Sequence, residues 1–121
     1  MVYFIKWTYI RGTSEALIEI SAQEYIKNQP VKFEGLIRDV IDEIRGQVEL
    51  ASLDIDLTGV NILHLDVRSL IHNIREMHEY TKNRGFLKEI RIRRTNFIFR
   101  SIYRPISLIL PRSVRELIKL C

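Results

Sequence analysis

Polar and apolar positions alternate along Val2 to Tyr9, with Tyr3, Ile5, Trp7 and Tyr9 on one side. Successive side chains of a strand point to opposite faces, so this pattern predicts a half-buried β-strand. Arg11-Gly12-Thr13-Ser14 reads as a turn and Ala16 to Ser21 as a second strand, so the chain opens with a hairpin. The polar stretch 22–30 ends at Pro30 and suits a connection or a short helix. From Val31 to Gln47 the period changes. Phe33, Leu36, Ile37, Val40, Ile41 and Ile44 recur at spacings of three and four, continuing to Val48, which predicts an amphipathic helix.

Alternation returns at Ser52 to Thr58, with Leu53, Ile55 and Leu57 on one face and Asp54 and Asp56 on the other. Asp66 to Asn83 predicts a second long helix, capped by Asp66 and ended by Gly85, with Val67, Leu70, Ile71, Ile74 and Met77 as its stripe. Leu87 to Arg93 is a third alternating strand. Its Ile90 and Ile92 oppose Glu89, Arg91 and Arg93. Thr95 or Asn96 can cap a short helix to Tyr103, which Pro105 stops. Ile106 to Leu110 then reads as a strand. Ser113 to Leu120 reads as a last helix, with Ser113 and Glu116 at capping-box spacing.

The expected order is β-β-α-β-α-β-α-β-α: an N-terminal hairpin followed by βα units, which make a mixed, mostly parallel sheet. Parallel strands covered on both faces are apolar throughout. Ser52–Thr58 and Leu87–Arg93 alternate instead. The helices are therefore expected mainly on one face. Asp54 and Asp56 would lie opposite Arg91 and Arg93 on the other.

Length fits one domain spanning 1–121. The single cysteine, Cys121, leaves no intrachain disulfide and suits a reducing compartment, so the expected location is the cytoplasm. No apolar run is long enough to span a bilayer, and Met1 to Thr8 has no signal-peptide layout. Charge is uneven. Residues 1–60 hold 6 Lys/Arg against 10 Asp/Glu, and residues 61–121 hold 13 against 5. The basic residues gather between Arg84 and Arg115, either as a solvated face or as a surface for a polyanion.

Several segments resemble the STAS (SpoIIAA-like) family. Asp56-Leu57-Thr58-Gly59-Val60-Asn61-Ile62-Leu63 is similar to that family's D-L-S-x-V-x-F strand and loop. Lys82-Asn83-Arg84-Gly85 resembles the basic-Gly ending of its second helix, and Ile106 to Leu117 its terminal strand and helix. The resemblance implies a non-enzymatic regulatory module, used in signalling as in anti-sigma-factor antagonists, that docks a kinase-like, signalling or transport partner. In such modules a Ser or Thr at the start of the second helix is phosphorylated, where the helix N-terminus favours an anion. Here an ungapped alignment puts His64 and Leu65 at that position, and a two-residue insertion puts Val67 and Arg68 there. Ser69 is the nearest hydroxyl. Phosphorylation at the usual place is therefore not expected. The same fold is shared with lipid-binding CRAL-TRIO domains, which are larger.

No catalytic, metal or cofactor site is expected. His72 and His78 stand six apart, about 120° from each other around a helix, with His64 outside it. Gly59 is alone, so there is no Gly-rich phosphate loop. Asp54 and Asp56 read as a solvated or Arg-paired edge rather than a carboxylate pair for catalysis. The expected docking surface is Thr58, Asn61, His64, Asp66, Arg68 and Ser69. The alternative is anionic lipid or nucleic acid on Arg91, Arg93, Arg94, Arg100 and Arg104, with Phe97, Phe99 and Tyr103 interleaved but mostly in the core.

Overall fold

The computed structural model describes residues 5–27, 33–44, 46–61, 63, 65–81 and 86–121, and their side chains except those of 25–27 and 33–37. A hairpin of β1 (Ile5–Tyr9) and β2 (Glu15–Ser21) leads into α1 (Ala22–Lys27) and α2 (Phe33–Ile44). Then follow β3 (Leu50–Asp56), α3 (Val67–Thr81), β4 (Leu87–Arg93), α4 (Phe97–Ser107), α5 (Arg112–Arg115) and β5 (Ile118–Leu120). The sheet runs β1-β2-β3-β4-β5, antiparallel between β1 and β2 and parallel elsewhere.

This order dictates where the helices lie. Crossovers between parallel strands are right-handed, and each one here steps the same way across the sheet. All of them must therefore pass over the same face. α2 packs beside α3 and α3 beside α4, in one row. Beneath them Ile18, Ile20, Leu53, Ile55, Ile90 and Ile92 meet Ile41, Ile44, Ile71, Ile74, Phe99 and Val114 in a single core. The alternation in the strands is the imprint of this one-sided cover. Phe33, Leu36 and Ile37 of the predicted α2 stripe lie outside the described side chains, and Gly85 and Tyr3 lie outside the described residues.

The other face carries Lys6, Glu15, Glu19, Asp54, Asp56, Glu89, Arg91 and Arg93. Asp54 aligns with Arg91 and Asp56 with Arg93 in the strand register. The ion pairs nevertheless run diagonally. Arg93 reaches both Asp54, at 2.5 Å, and Asp56, at 3.7 Å, while Arg91 turns to Glu89 at 3.3 Å. Glu15 accepts from Lys88 at 3.1 Å, and Lys6 stands 3.9 Å from Glu19. Asp54 is only 8% exposed, although it lies on the face opposite the described helix row. Its neighbours on the face, Arg93 first, shield it.

The C-terminal third corrects two sequence expectations. Ile106–Leu110 is not a strand: α4 continues through Pro105 to Ser107, and a turn follows. Proline costs most in a helix interior. In the last turn it removes only the bond that its own amide would give to the Ser101 carbonyl. Ser113–Leu120 is not a helix either. A single turn, α5, precedes the short strand β5. Glu116 does not close a capping box with Ser113; it accepts from Arg112 at 2.8 Å. Ile118 and Leu120 fall on the covered side and Lys119 on the open side, which is the period of a strand.

Candidate functional site

Two surfaces hold the residues that sequence reasoning singled out. The first is the loop from β3 to α3. Asp56 accepts from the backbone N–H of Thr58 at 2.9 Å and from its hydroxyl at 2.6 Å. Asn61 accepts from the Leu63 N–H at 3.1 Å. Asp66 caps α3, accepting from the Ser69 N–H at 3.0 Å and the Ser69 hydroxyl at 2.8 Å. Both carboxyl groups are held below their usual 3.8, Asp56 chiefly by the Thr58 hydroxyl and Asp66 chiefly by the Ser69 N–H. Gly59 has φ +78°, where any other side chain would be strained, and its missing Cβ leaves room for the end of the Gln23 side chain. The loop is thus internally bonded, with Thr58, Asn61, Asp66, Arg68 and Ser69 exposed and Leu63 projecting, 74% exposed. His64 lies outside the described residues.

The second surface is the basic half, and the structure divides it. Arg91 and Arg93 belong to the open sheet face and are engaged there. The bond to Asp54 raises the Arg93 guanidinium above its ordinary value. A shallow depression of about 200 Å³ lies beside them, lined by Ile10, Leu17, Ser52, Asp54, Glu89 and Arg91. Arg94, Arg100 and Arg104 belong elsewhere. At Arg94 the chain takes φ +63° and leaves β4 for the start of α4. Thr95 bonds the Cys121 carbonyl through its N–H and its hydroxyl, tying the head of α4 to the end of β5. Asn96 caps α4, accepting from the Phe99 N–H at 2.9 Å.

From that cap the helix sorts its own side chains. Phe99, Ile102, Tyr103 and Ile106 stand at positions i, i+3, i+4 and i+7 and turn inward; Phe99 and Tyr103 are buried, their rings stacked at 6.1 Å. Burial pushes the Tyr103 hydroxyl up from its usual value. The outer side carries Phe97, 82% exposed, and Ile98 at one end, with Leu108, 72%, and Ile109, 68%, just past the other. Arg100, Ser101, Arg104 and Pro105 lie exposed between them. Eleven helical residues separate the two apolar ends by about 16 Å. Among the described residues no carboxylate forms an ion pair with Arg94, Arg100 or Arg104 within 4.0 Å. Arg100 donates to the Thr95 hydroxyl at 3.3 Å. The sequence reading counted these arginines but missed the exposure of Phe97, Ile98, Leu108 and Ile109. The phase set by the Asn96 cap is the signal that finds it.

Among the described residues, no three His, Cys, Asp or Glu side chains are grouped to hold a metal ion. No described helix is long and apolar enough to cross a membrane.

No protein-family model matches this chain, and no curated protein sequence matches it. The chain is similar in fold to the crystal structure of Sfh5, with a TM-score of 0.62 over 97% of its length at 11% identity. It covers 46% of that chain, less than half of its neighbour's length. At such low identity the likeness concerns the fold alone.

Proposed function

We propose that this chain is a non-enzymatic binding domain that docks on anionic phospholipid surfaces through the outer side of α4. The observation that carries the reading is the set Phe97, Ile98, Leu108 and Ile109, large apolar side chains left in water at the two ends of the helix that exposes Arg100 and Arg104, with Arg94 just before its cap. A helix of this design lies in the plane of a membrane interface. Its apolar side chains enter the acyl boundary and its cations meet the phosphates. Each basic residue near an anionic leaflet contributes about 1 kcal/mol, and the short apolar face adds a few more, so docking is reversible. Nucleic acid would use the cations but leave four apolar groups without a role.

Flotation with phosphatidylcholine vesicles, with and without phosphatidylserine, tests this. The chain is expected to float with the anionic vesicles only, and less as salt rises. Equal binding to neutral vesicles, no binding to either, or tighter binding to duplex DNA would overturn it.

The loop from β3 to α3 supports a second reading, docking of a partner protein in the STAS manner. Leu63 stands exposed in the loop between two fixed carboxylates, Asp56 and Asp66, that also holds Thr58 and Asn61 and leads to Arg68 and Ser69. Loss of one identified partner on Leu63→Asp, with vesicle binding intact, would favour it.

A further inference from the structure

We infer that Ser101 is a phosphorylation site that releases α4 from an anionic membrane, an inference that rests on the docking reading above. Three observations bring it forward. Ser101 lies mid-helix on the exposed side of α4, between the apolar ends at Phe97 and Leu108, and between Arg100 and Arg104 in sequence. Its hydroxyl donates to no group among the described residues. The hydroxyls of Thr58, Ser69, Thr95 and Ser107, by contrast, are each bonded, the first two to carboxylates that would repel a phosphate. Finally, Pro105 stands four residues on and has no N–H, so the Ser101 carbonyl lacks its intrahelical donor. The backbone ladder is one bond short at the residue to be modified.

The step needs a nucleoside triphosphate and a protein kinase that tolerates flanking arginines. The Ser101 oxygen bonds to the γ-phosphorus, and the bond from that phosphorus to the β,γ-bridging oxygen breaks. The hydroxyl proton passes to the kinase's base, and the nucleoside diphosphate leaves. The product carries close to two negative charges at neutral pH. They would sit where the anionic surface comes closest, and would draw Arg100 and Arg104 away from lipid phosphates. Charge of that size beside a negative leaflet lowers affinity about tenfold or more.

The test uses the full chain with phosphoserine incorporated at 101, beside wild type, Ser101→Ala and Ser101→Glu, on phosphatidylserine-containing vesicles. The phosphoserine chain is expected to bind at least about tenfold more weakly, Ser101→Glu less weakly, and Ser101→Ala within about twofold of wild type. Circular dichroism checks that all four keep the fold. If wild type floats and the phosphoserine chain floats equally well, the switch is wrong and the docking stands. If wild type itself does not float, the docking reading falls and takes the switch with it. Phosphopeptide mapping from the native cell should find phosphate on Ser101; phosphate confined to Thr58 or Ser69 would overturn the assignment.

Discussion

The open sheet face and the outer side of α4 both carry arginines, and they use them differently. On the sheet, Arg93 spans Asp54 and Asp56 while Arg91 holds Glu89, so the charges answer one another. On α4, Arg100 and Arg104 stand among exposed apolar side chains with no described carboxylate in reach. Both sets come from the same basic stretch of sequence. A count of charge cannot separate them, because the sheet brings carboxylates beside one set and α4 brings none within 4.0 Å of the other among the described residues. Exposed pairs such as those on the sheet contribute little, about 0–1 kcal/mol each. They fix the face more than they stabilise it.

The sharpest way to break the comparison is inside α4, where Phe97 and Phe99 are two residues apart and face opposite ways. Phe99→Ala is expected to cost about 3–5 kcal/mol and Ile74→Ala about 2–5, because both side chains are fully buried and would leave cavities. Urea melts measure this. A loss under about 0.5 kcal/mol at either would mean that the covered side is misassigned. Phe97→Asp should leave the melt nearly unchanged while weakening vesicle binding about tenfold or more. Unchanged flotation would remove α4 from the docking surface.

On the sheet, Arg93→Ala should cost about 1–2 kcal/mol, discounted for the partial exposure of Arg93, since it leaves the shielded Asp54 without its guanidinium. Vesicle binding should not change. If it falls as far as it does for Arg100→Ala, the two surfaces are one. Asp66→Ser should be close to neutral for stability, because serine caps about as well as aspartate. The pH profile is subtler still. Asp56 and Asp66 have depressed folded-state values, so their contribution is present above about pH 4 and is lost as pH falls through those values. Urea midpoints should decline below pH 4, and the decline should be shallower in Asp56→Asn/Asp66→Asn.

Most of the fold was legible wherever a period ran long enough. Ser52–Thr58 and the Glu89–Arg93 part of the strand from Leu87 alternate, and that alternation alone foretold the one-sided cover. The C-terminal third was not legible, for a physical reason. In Ile106-Ser107-Leu108-Ile109-Leu110 the apolar residues fit either period, and three-residue β5 is too short to show one. Pro105 invited an early stop that the last turn of a helix does not need. The candidate surfaces were half legible. Arg94, Arg100 and Arg104 could be named from sequence, but Phe97 could not be sent outward until Asn96 rather than Thr95 was known to start the helix. Thr58 and Ser69 were legible as hydroxyls of the expected docking surface, but their bonds were not. Only the structure shows their hydroxyls tied to Asp56 and Asp66.

The sequential strand order has a consequence for how the molecule comes apart. Because the sheet never doubles back, β5, α5 and α4 lie at one margin, with β4 and α3 as their neighbours. Among the described residues no other strand lies beyond β5. That margin can open as a unit while the hairpin, β3 and α3 stay folded, a partial unfolding of lower free energy than the global one. Amide hydrogens of Ile118, Leu120 and α4 should then exchange together and ahead of those in β3. Tyr103, shielded at rest, would meet solvent on the same clock.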